Sequence, residues 1–287
     1  MKMKVGIDTG AYIYRYGVKE GLARMKRHRY DTLDFQTFAN TEDRLFLQND
    51  SGFEKMLLDF KKDCADAGIE ISQVHGPWRW PPRDFTPENR AERFEKMARS
   101  IKGTRILGCD NFVIHPIMPF GDNQNPDPEA FHEINFEFFS RLCDEAEKYG
   151  VTICLENMPM PVLTLATPRQ ILGFVKEINR ESLKVCLDTG HCAVCGEDAA
   201  EAVRLLGKEY LKVLHVHDND GHRDLHWLPG FGVIDWTEFG KALREIGYEG
   251  SFSLETGVPG RVPSAAREEM EIALFGIADT IAGNRPA

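Results

Sequence analysis

Leu183-Lys-Val-Cys-Leu-Asp188 is a short apolar run that stops on a carboxylate, and its repetition decides the fold. The same design returns as Glu70-Ile-Ser-Gln-Val-His75, Asn111-Phe-Val-Ile-His115, Val151-Thr-Ile-Cys-Leu-Glu156, Leu211-Lys-Val-Leu-His-Val-His217 and Ser251-Phe-Ser-Leu-Glu255. Runs of this length and composition suit parallel strands buried on both faces, each with a polar group at its carboxyl end. The residues able to do chemistry therefore gather at one end of the predicted sheet.

Between the runs the apolar spacing turns helical. Phe53, Met56, Leu57, Phe60 and Cys64 share one face before Gly68, as do Phe94, Met97, Ala98 and Ile101 before Gly108, and Phe131, Ile134, Phe138 and Leu142 before Gly150. Thr167-Pro168 reads as an N-cap followed by a first-turn proline, and Asp235-Trp-Thr-Glu238 as a capping box. With Lys4 to Asp8 as a first strand and Asp31 to Phe35 as a weaker second, eight strand-helix units follow at a spacing of about 30 to 40 residues, as βα repeats require. The expected fold class is α/β, a single (β/α)8 barrel over residues 1–287 with its active site at the carboxyl ends of the strands.

No Pro/Gly/Ser-rich linker divides the 287 residues, so one domain is expected. No run approaches about 18 consecutive apolar residues, and the N-terminus enters a strand directly, so a cytoplasmic protein without membrane contact is expected. A homo-oligomer is compatible with this reading. Seven cysteines, with Cys154 and Cys186 inside predicted strands, indicate buried thiols rather than a disulfide framework, and Cys192-Ala-Val-Cys195 is a lone pair expected to pack. The formal charge of −10 argues against a broad nucleic-acid surface. The basic stretch Lys19 to Arg29 reads as the solvated face of an early helix, with phosphate capture beside the first βα loop as the functional alternative and His28 placed on the surface.

Three carboxylates and an imidazole, Glu156, Asp188, His217 and Glu255, close the fifth to eighth strands and occupy one arc of the barrel mouth. That donor set suits one divalent ion such as Mn, Zn, Co or Mg, with open positions for substrate oxygens. Without a cation, carboxylates crowded at one mouth would repel. His215 and His217 share a face of their strand, with His217 nearer the rim and His215 beneath it. Asp224 and His226, two apart in the following loop, are further candidates, as is His191. Trp78 and Trp80 supply either an apolar wall for a ligand or packing for their own loop.

The ordered set His75-Gly-Pro, His115-Pro, Glu156-Asn, Leu187-Asp-Thr-Gly-His191, His217-Asp-Asn-Asp, Asp224-Leu-His226 with Pro229-Gly-Phe-Gly232, and Leu254-Glu255 resembles the xylose isomerase-like TIM-barrel superfamily over nearly the whole chain. Within it the chain is most similar to sugar phosphate isomerases/epimerases, the ketose 3-epimerases in particular. The resemblance implies a metal on Glu156, Asp188, His217 and Glu255, with both glutamates moving protons. It implies that His191 holds a substrate oxygen and that Arg223 contacts substrate; His75, His115 and Trp78 join the substrate side. The expected partner is a small sugar or sugar phosphate, converted through a metal-stabilised enediolate. The same superfamily contains endonuclease IV, a three-zinc abasic-site nuclease. All nine of its ligand types have a match here, so that activity is the alternative, although the loop after His75 departs from the nuclease and nucleic acid is not the expected partner.

Overall fold

A computed structural model describes residues 2–285. Eight parallel strands run β1 Val5–Asp8, β2 Thr32–Phe35, β3 Glu70–His75, β4 Asn111–Ile114, β5 Thr152–Glu156, β6 Leu183–Asp188, β7 Leu211–His215 and β8 Phe252–Leu254. Helices α1 Thr9–Tyr16 and α2 Val18–Arg27 follow β1, α3 Asp50–Ala67 follows β2, and α4 Pro87–Leu107 follows β3. Then come α5 Pro128–Tyr149, α6 Pro168–Ile178, α7 Thr189–Val194, α8 Ala199–Tyr210, α9 Trp236–Glu245 and α10 Ser264–Ile281. The fold is the expected (β/α)8 barrel.

Strand order is β7-β6-β5-β4-β3-β2-β1-β8. The last gap is bridged just beyond β7: Val216 pairs with Leu254, its N–H donating to Ser253 O at 2.9 Å while Glu255 N–H donates to Val216 O at 3.0 Å. This closure brings the segment that carries His217 against the end of β8 that carries Glu255.

The helix signals act locally as read. Gly68, Gly108 and Gly150 end α3, α4 and α5 in the left-handed region. Thr167 caps α6 in a reciprocal box with Gln170. Asp235 caps α9 through Thr237 and Glu238 N–H, whereas the Glu238 carboxylate pairs with Arg204 and Lys241 instead of closing the box. All seven cysteines are free thiols.

Strand alternation then layers the barrel interior. Val113, Cys154, Cys186 and Val213 form a small dry layer on β4 to β7. Two residues further along the same strands come His115, Glu156, Asp188 and His215, all buried. The polar layer therefore stands directly on a hydrophobic floor.

His28 departs from its surface assignment. It is 2% exposed, beneath α1 and α10, where the Tyr12 hydroxyl lies 2.8 Å from its Nδ1. The lysines and arginines of the Lys19 to Arg29 stretch reach solvent, and Lys26 Nζ donates to Gly68 O just before β3 begins. These cations thus lie at the amino end of the barrel, opposite the mouth, because α2 descends toward the start of β2.

Candidate active site

The mouth opens into a cavity of about 480 Å³ lined by Gln36, Ala39, His75, Trp78, Trp80, His115, Glu156, Met158, Pro159, Met160, His191, Asp224, His226 and Glu255. Among the described residues no Lys or Arg lines it. Trp78 and Trp80 stand 5.9 Å apart on one wall and the two methionines contribute more apolar surface, so an apolar rim surrounds an acidic floor.

At the centre of that floor His215 is fully buried and committed on both nitrogens. Its Nε2 lies 3.0 Å from Asp34 Oδ2, and its Nδ1 lies 3.0 Å from Glu156 Oε1 and 3.2 Å from Glu255 Oε2. Gln73 Nε2 donates to the same Asp34 oxygen, and Gln36 Nε2 donates to Glu255 Oε1 at 3.0 Å. Burial alone would depress the His215 imidazolium, but the surrounding thiol and carboxylates raise it well above its ordinary range. It holds the two glutamates from below and leaves no lone pair for a ligand.

Four other histidines behave differently. His75, His191, His217 and His226 each direct Nδ1 at a backbone carbonyl, those of Gly76 (2.9 Å), Asn157 (2.7 Å), Asp218 (3.4 Å) and Glu255 (2.7 Å). A ring that donates Nδ1–H to a carbonyl presents its Nε2 lone pair outward, which is how protein-held imidazoles bind metals. Their Nε2 atoms face carboxylates: His217 on Asp188 at 3.0 Å, His191 and His226 on Asp224 at 3.4 and 3.3 Å, and His75 3.9 Å from Glu156. His226 reaches this position with φ +46, a left-handed backbone that an L side chain adopts only under strain. Gly190 explains how His217 fits, since a Cβ there would lie 2.0 Å from the His217 ring.

Candidate ligand atoms fall into overlapping groups within 4.8 Å: Glu156 with Asp188, His215 and Glu255; Asp188 with His191 and His217; His217 with Asp224 and His226; and His75 with Glu156 and His215. The structure thus brings Glu156, Asp188, His217 and Glu255 to one floor, with His217 joined through Asp188. His75, His115, His191, Asp224, His226 and Trp78 face the same cavity. Arg223 does not: its side chain is 71% exposed and bonded to Asp220, because the loop turns it outward.

The residues fit a divalent cation. Glu156 Oε2 is buried without a hydrogen-bond partner, since His115 Nε2 approaches to 3.1 Å without hydrogen-bond alignment. Burial tends to raise the Glu156 carboxyl, but His215 and His115 outweigh it and hold it well below the usual range. Glu255 moves the other way, pushed up to about 8 by burial against the partial relief of His215 and His226. Burial opposes charge on His191 and His226, yet Asp188 and Asp224 push His191 up to about 10, and Asp224 and Glu255 push His226 up to about 11.

Asp34, Gln36, Gln73, Met158 and Met160 were not picked out from the sequence. Alternation within Thr32-Leu-Asp-Phe35 and Glu70-Ile-Ser-Gln-Val-His75 carried Asp34 and Gln73; nothing local marked the methionines.

The xylose isomerase-like TIM barrel family model matches residues 22–274. A D-psicose 3-epimerase of Enterocloster bolteae is 34% identical over 263 residues, covering 87% of this chain and 82% of that protein. One from Ruminiclostridium cellulolyticum is 29% identical over 202 residues, 68% of this chain and 66% of that protein. An uncharacterized protein of Methanocaldococcus jannaschii is 34% identical over 193 residues, 63% of each chain, so the alignments to these last two fall short of two thirds of the relatives' length. A probable endonuclease 4 of Acholeplasma laidlawii is 26% identical over 203 residues, 65% of this chain and 66% of that protein. Among solved structures, a D-tagatose 3-epimerase-like protein superposes with TM-score 0.76 at 23% identity, covering 98% of this chain and 99% of that one, and an IOLI protein with a binding zinc atom with TM-score 0.76 at 20%, covering 98% and 97%. At those identities they confirm the fold. The chain belongs to the xylose isomerase-like TIM barrel family, where its relatives include D-psicose 3-epimerases.

Proposed function

We propose that the chain, acting as one barrel domain over residues 1–287, is a divalent-metal-dependent epimerase or isomerase of a sugar or sugar phosphate. The observation that carries this reading is the pair of glutamates that meet on one imidazole: Glu156 Oε1 and Glu255 Oε2 lie 3.0 and 3.2 Å from His215 Nδ1 at the cavity floor. Two carboxyl groups that converge on one site from the ends of different strands supply a base and an acid for proton transfer. Glu156 would take the proton from the carbon beside the carbonyl, and Glu255 would deliver one. Delivery to the same carbon from the other face inverts it; delivery to the neighbouring carbon exchanges ketose and aldose.

The neighbouring protein that binds zinc supports a cation here, as do the Nε2 atoms gathered against carboxylates and the orphaned Glu156 oxygen. Asp188, His217, Glu156 and Glu255 would hold it. Such an ion acidifies a C–H beside a carbonyl and offsets the negative charge that develops on its oxygens. Gln36 steadies Glu255, the tryptophan wall excludes water from one side, and His191 offers Nε2 to a substrate hydroxyl. The test is incubation of Mn-loaded or Zn-loaded protein with a panel of ketoses in D₂O, reading deuterium on carbon and the product's configuration. Epimer or aldose carrying deuterium is expected; no exchange with any ketose overturns the reading.

A second reading has its own observation. His75 and His115 crowd Glu156, and His191 and His226 flank Asp224, so seven metal-capable side chains line one cavity with Asp188 and His217 buried behind them, as an endonuclease IV-like multinuclear zinc site would need. The missing cationic lining and the exposed, Asp220-paired Arg223 count against a phosphodiester. About one tightly held ion per chain without nicking of abasic DNA is expected; three zinc ions with nicking would install the alternative.

A further inference from the structure

Twenty residues, Val216 to Asp235, run from the end of β7 to α9 without a helix or strand of their own, yet they carry Asp224 and His226 into the cavity. A segment so long and irregular needs a device to hold it. One buried carboxylate does most of this. Asp218 is 0% exposed, and among the described residues no Lys, Arg or His pairs with it. Its Oδ2 accepts from Gly230 N–H (3.0 Å), Gly232 N–H (3.0 Å) and the Trp236 indole N–H (2.8 Å), and its Oδ1 accepts from Ile234 N–H (3.3 Å) and Asn219 N–H (3.0 Å). Five donors thus converge on one charge and fold the segment back on itself.

The same point is tied to the metal-capable residues from behind. Asp218 and Trp227 exchange backbone hydrogen bonds of 2.8 and 2.7 Å one residue after His226. Asn219 Nδ2 donates to Gly190 O at 2.7 Å, next to His191, and Thr189 Oγ1 donates to His217 O at 2.7 Å. Gly232 is packed so closely that a Cβ would lie 2.1 Å from Asn219 O and 2.3 Å from Asp218 Oδ1. The Pro229-Gly-Phe-Gly232 turn is therefore shaped by the carboxylate it wraps, not by a ligand.

We propose that Asp218 is the positioning residue of the site: it touches no substrate but holds the β7–α9 segment in the form that presents Asp224 and His226 to His191 and His217. The inference rests on reading that cluster as a cation site. Two measurements on the full chain test it, Zn²⁺ affinity by calorimetry and amide hydrogen exchange over residues 228–236, with Asp220→Asn as the control from the exposed side of the same segment.

In Asp218→Asn the amide turns a donor toward two or three N–H groups, so exchange over 228–236 accelerates and Zn²⁺ affinity falls about 10-fold to 100-fold, the range for partners behind a metal ligand. Asp220→Asn leaves both unchanged. If Asp218→Asn does not fold, Gly232→Ala perturbs the same contact without removing charge and should show both effects. Accelerated exchange with unchanged Zn²⁺ affinity would reduce Asp218 to a tether and overturn the proposal, as would no change in either. Failure of the wild-type chain to bind Zn²⁺ would sink the metal reading instead, and exchange alone would then decide whether Asp218 holds the segment.

Discussion

Two buried histidines, His215 under the mouth and His28 beneath α1 and α10, show how similar ingredients yield different outcomes. His215 touches Asp34, Glu156 and Glu255 and is driven toward its charged form. His28 meets the Tyr12 hydroxyl at 2.8 Å, with Glu271 at 3.8 Å and Glu268 at 3.6 Å, and burial lowers it despite those carboxylates. The second cluster is balanced, because Tyr16 donates to Glu271 and Arg24 lies beside it. The first carries a surplus of carboxylates with no lysine or arginine on the cavity wall among the described residues. A buried polar group whose partners balance belongs to the scaffold; one left with excess charge awaits something from outside.

The sharpest way to break this contrast is to neutralise the surplus. Glu156→Gln and Glu255→Gln should each lower turnover by about 100-fold or more, the scale of a lost acid-base group, while thermal unfolding moves far less. A loss of only a few-fold in either would return that glutamate to the scaffold. On the other side, His28→Leu strands the Tyr12 hydroxyl in a buried setting and should lower stability by about 1–3 kcal/mol, the penalty for an unsatisfied buried polar group. Its kcat should match wild type. A fall in kcat without a fall in Tm would show that the cluster reaches the mouth.

Chelation comes next. EDTA should abolish activity and lower Tm modestly, since repulsion among Glu156, Asp188 and Glu255 is restored while the helix faces that bury Phe53, Phe94, Phe138 and Leu142 are untouched. Collapse of the far-UV helical signal at 25 °C would move the whole floor into the scaffold class.

The smallest effect is in pH. The folded-state pKa of His28 lies below the ordinary 6.5, so the unfolded chain binds more protons there. Its contribution to stability is whole above pH 6.5 and is lost as pH falls toward the folded value. Asp8 has the opposite sign: burial and Asp34 push it up to about 7 against the pull of Ala11 N–H, so its contribution is whole below 3.8 and lost as pH rises through 7. Wild type minus His28→Leu, followed by urea unfolding from pH 7.5 to 5, should isolate the His28 slope. A flat difference would mean that His28 titrates alike in both states.

The barrel was legible because the strands carry their polar residues within two positions of their carboxyl ends, and alternation fixes which side chains face the axis. The site was legible up to its rim. His28 was misread because its neighbours are cationic, although Leu22, Met25 and His28 share a buried helical face. The outward turn of Arg223 was hidden since the 216–235 path depends on Asp218, whose five donors lie up to eighteen residues away. Contacts made by a loop with itself leave no period to read.

Gly190 has a consequence for protein engineering. In an exposed helix, glycine to alanine usually stabilises by about 1 kcal/mol, and a stabilisation campaign would list this position early. Here the α7 backbone serves as the seat of the His217 ring, with room for a hydrogen and nothing larger. Any added methyl would gain helix propensity at the expense of where that imidazole points. At this position thermostability and cation affinity draw on the same few cubic ångströms and cannot be improved together.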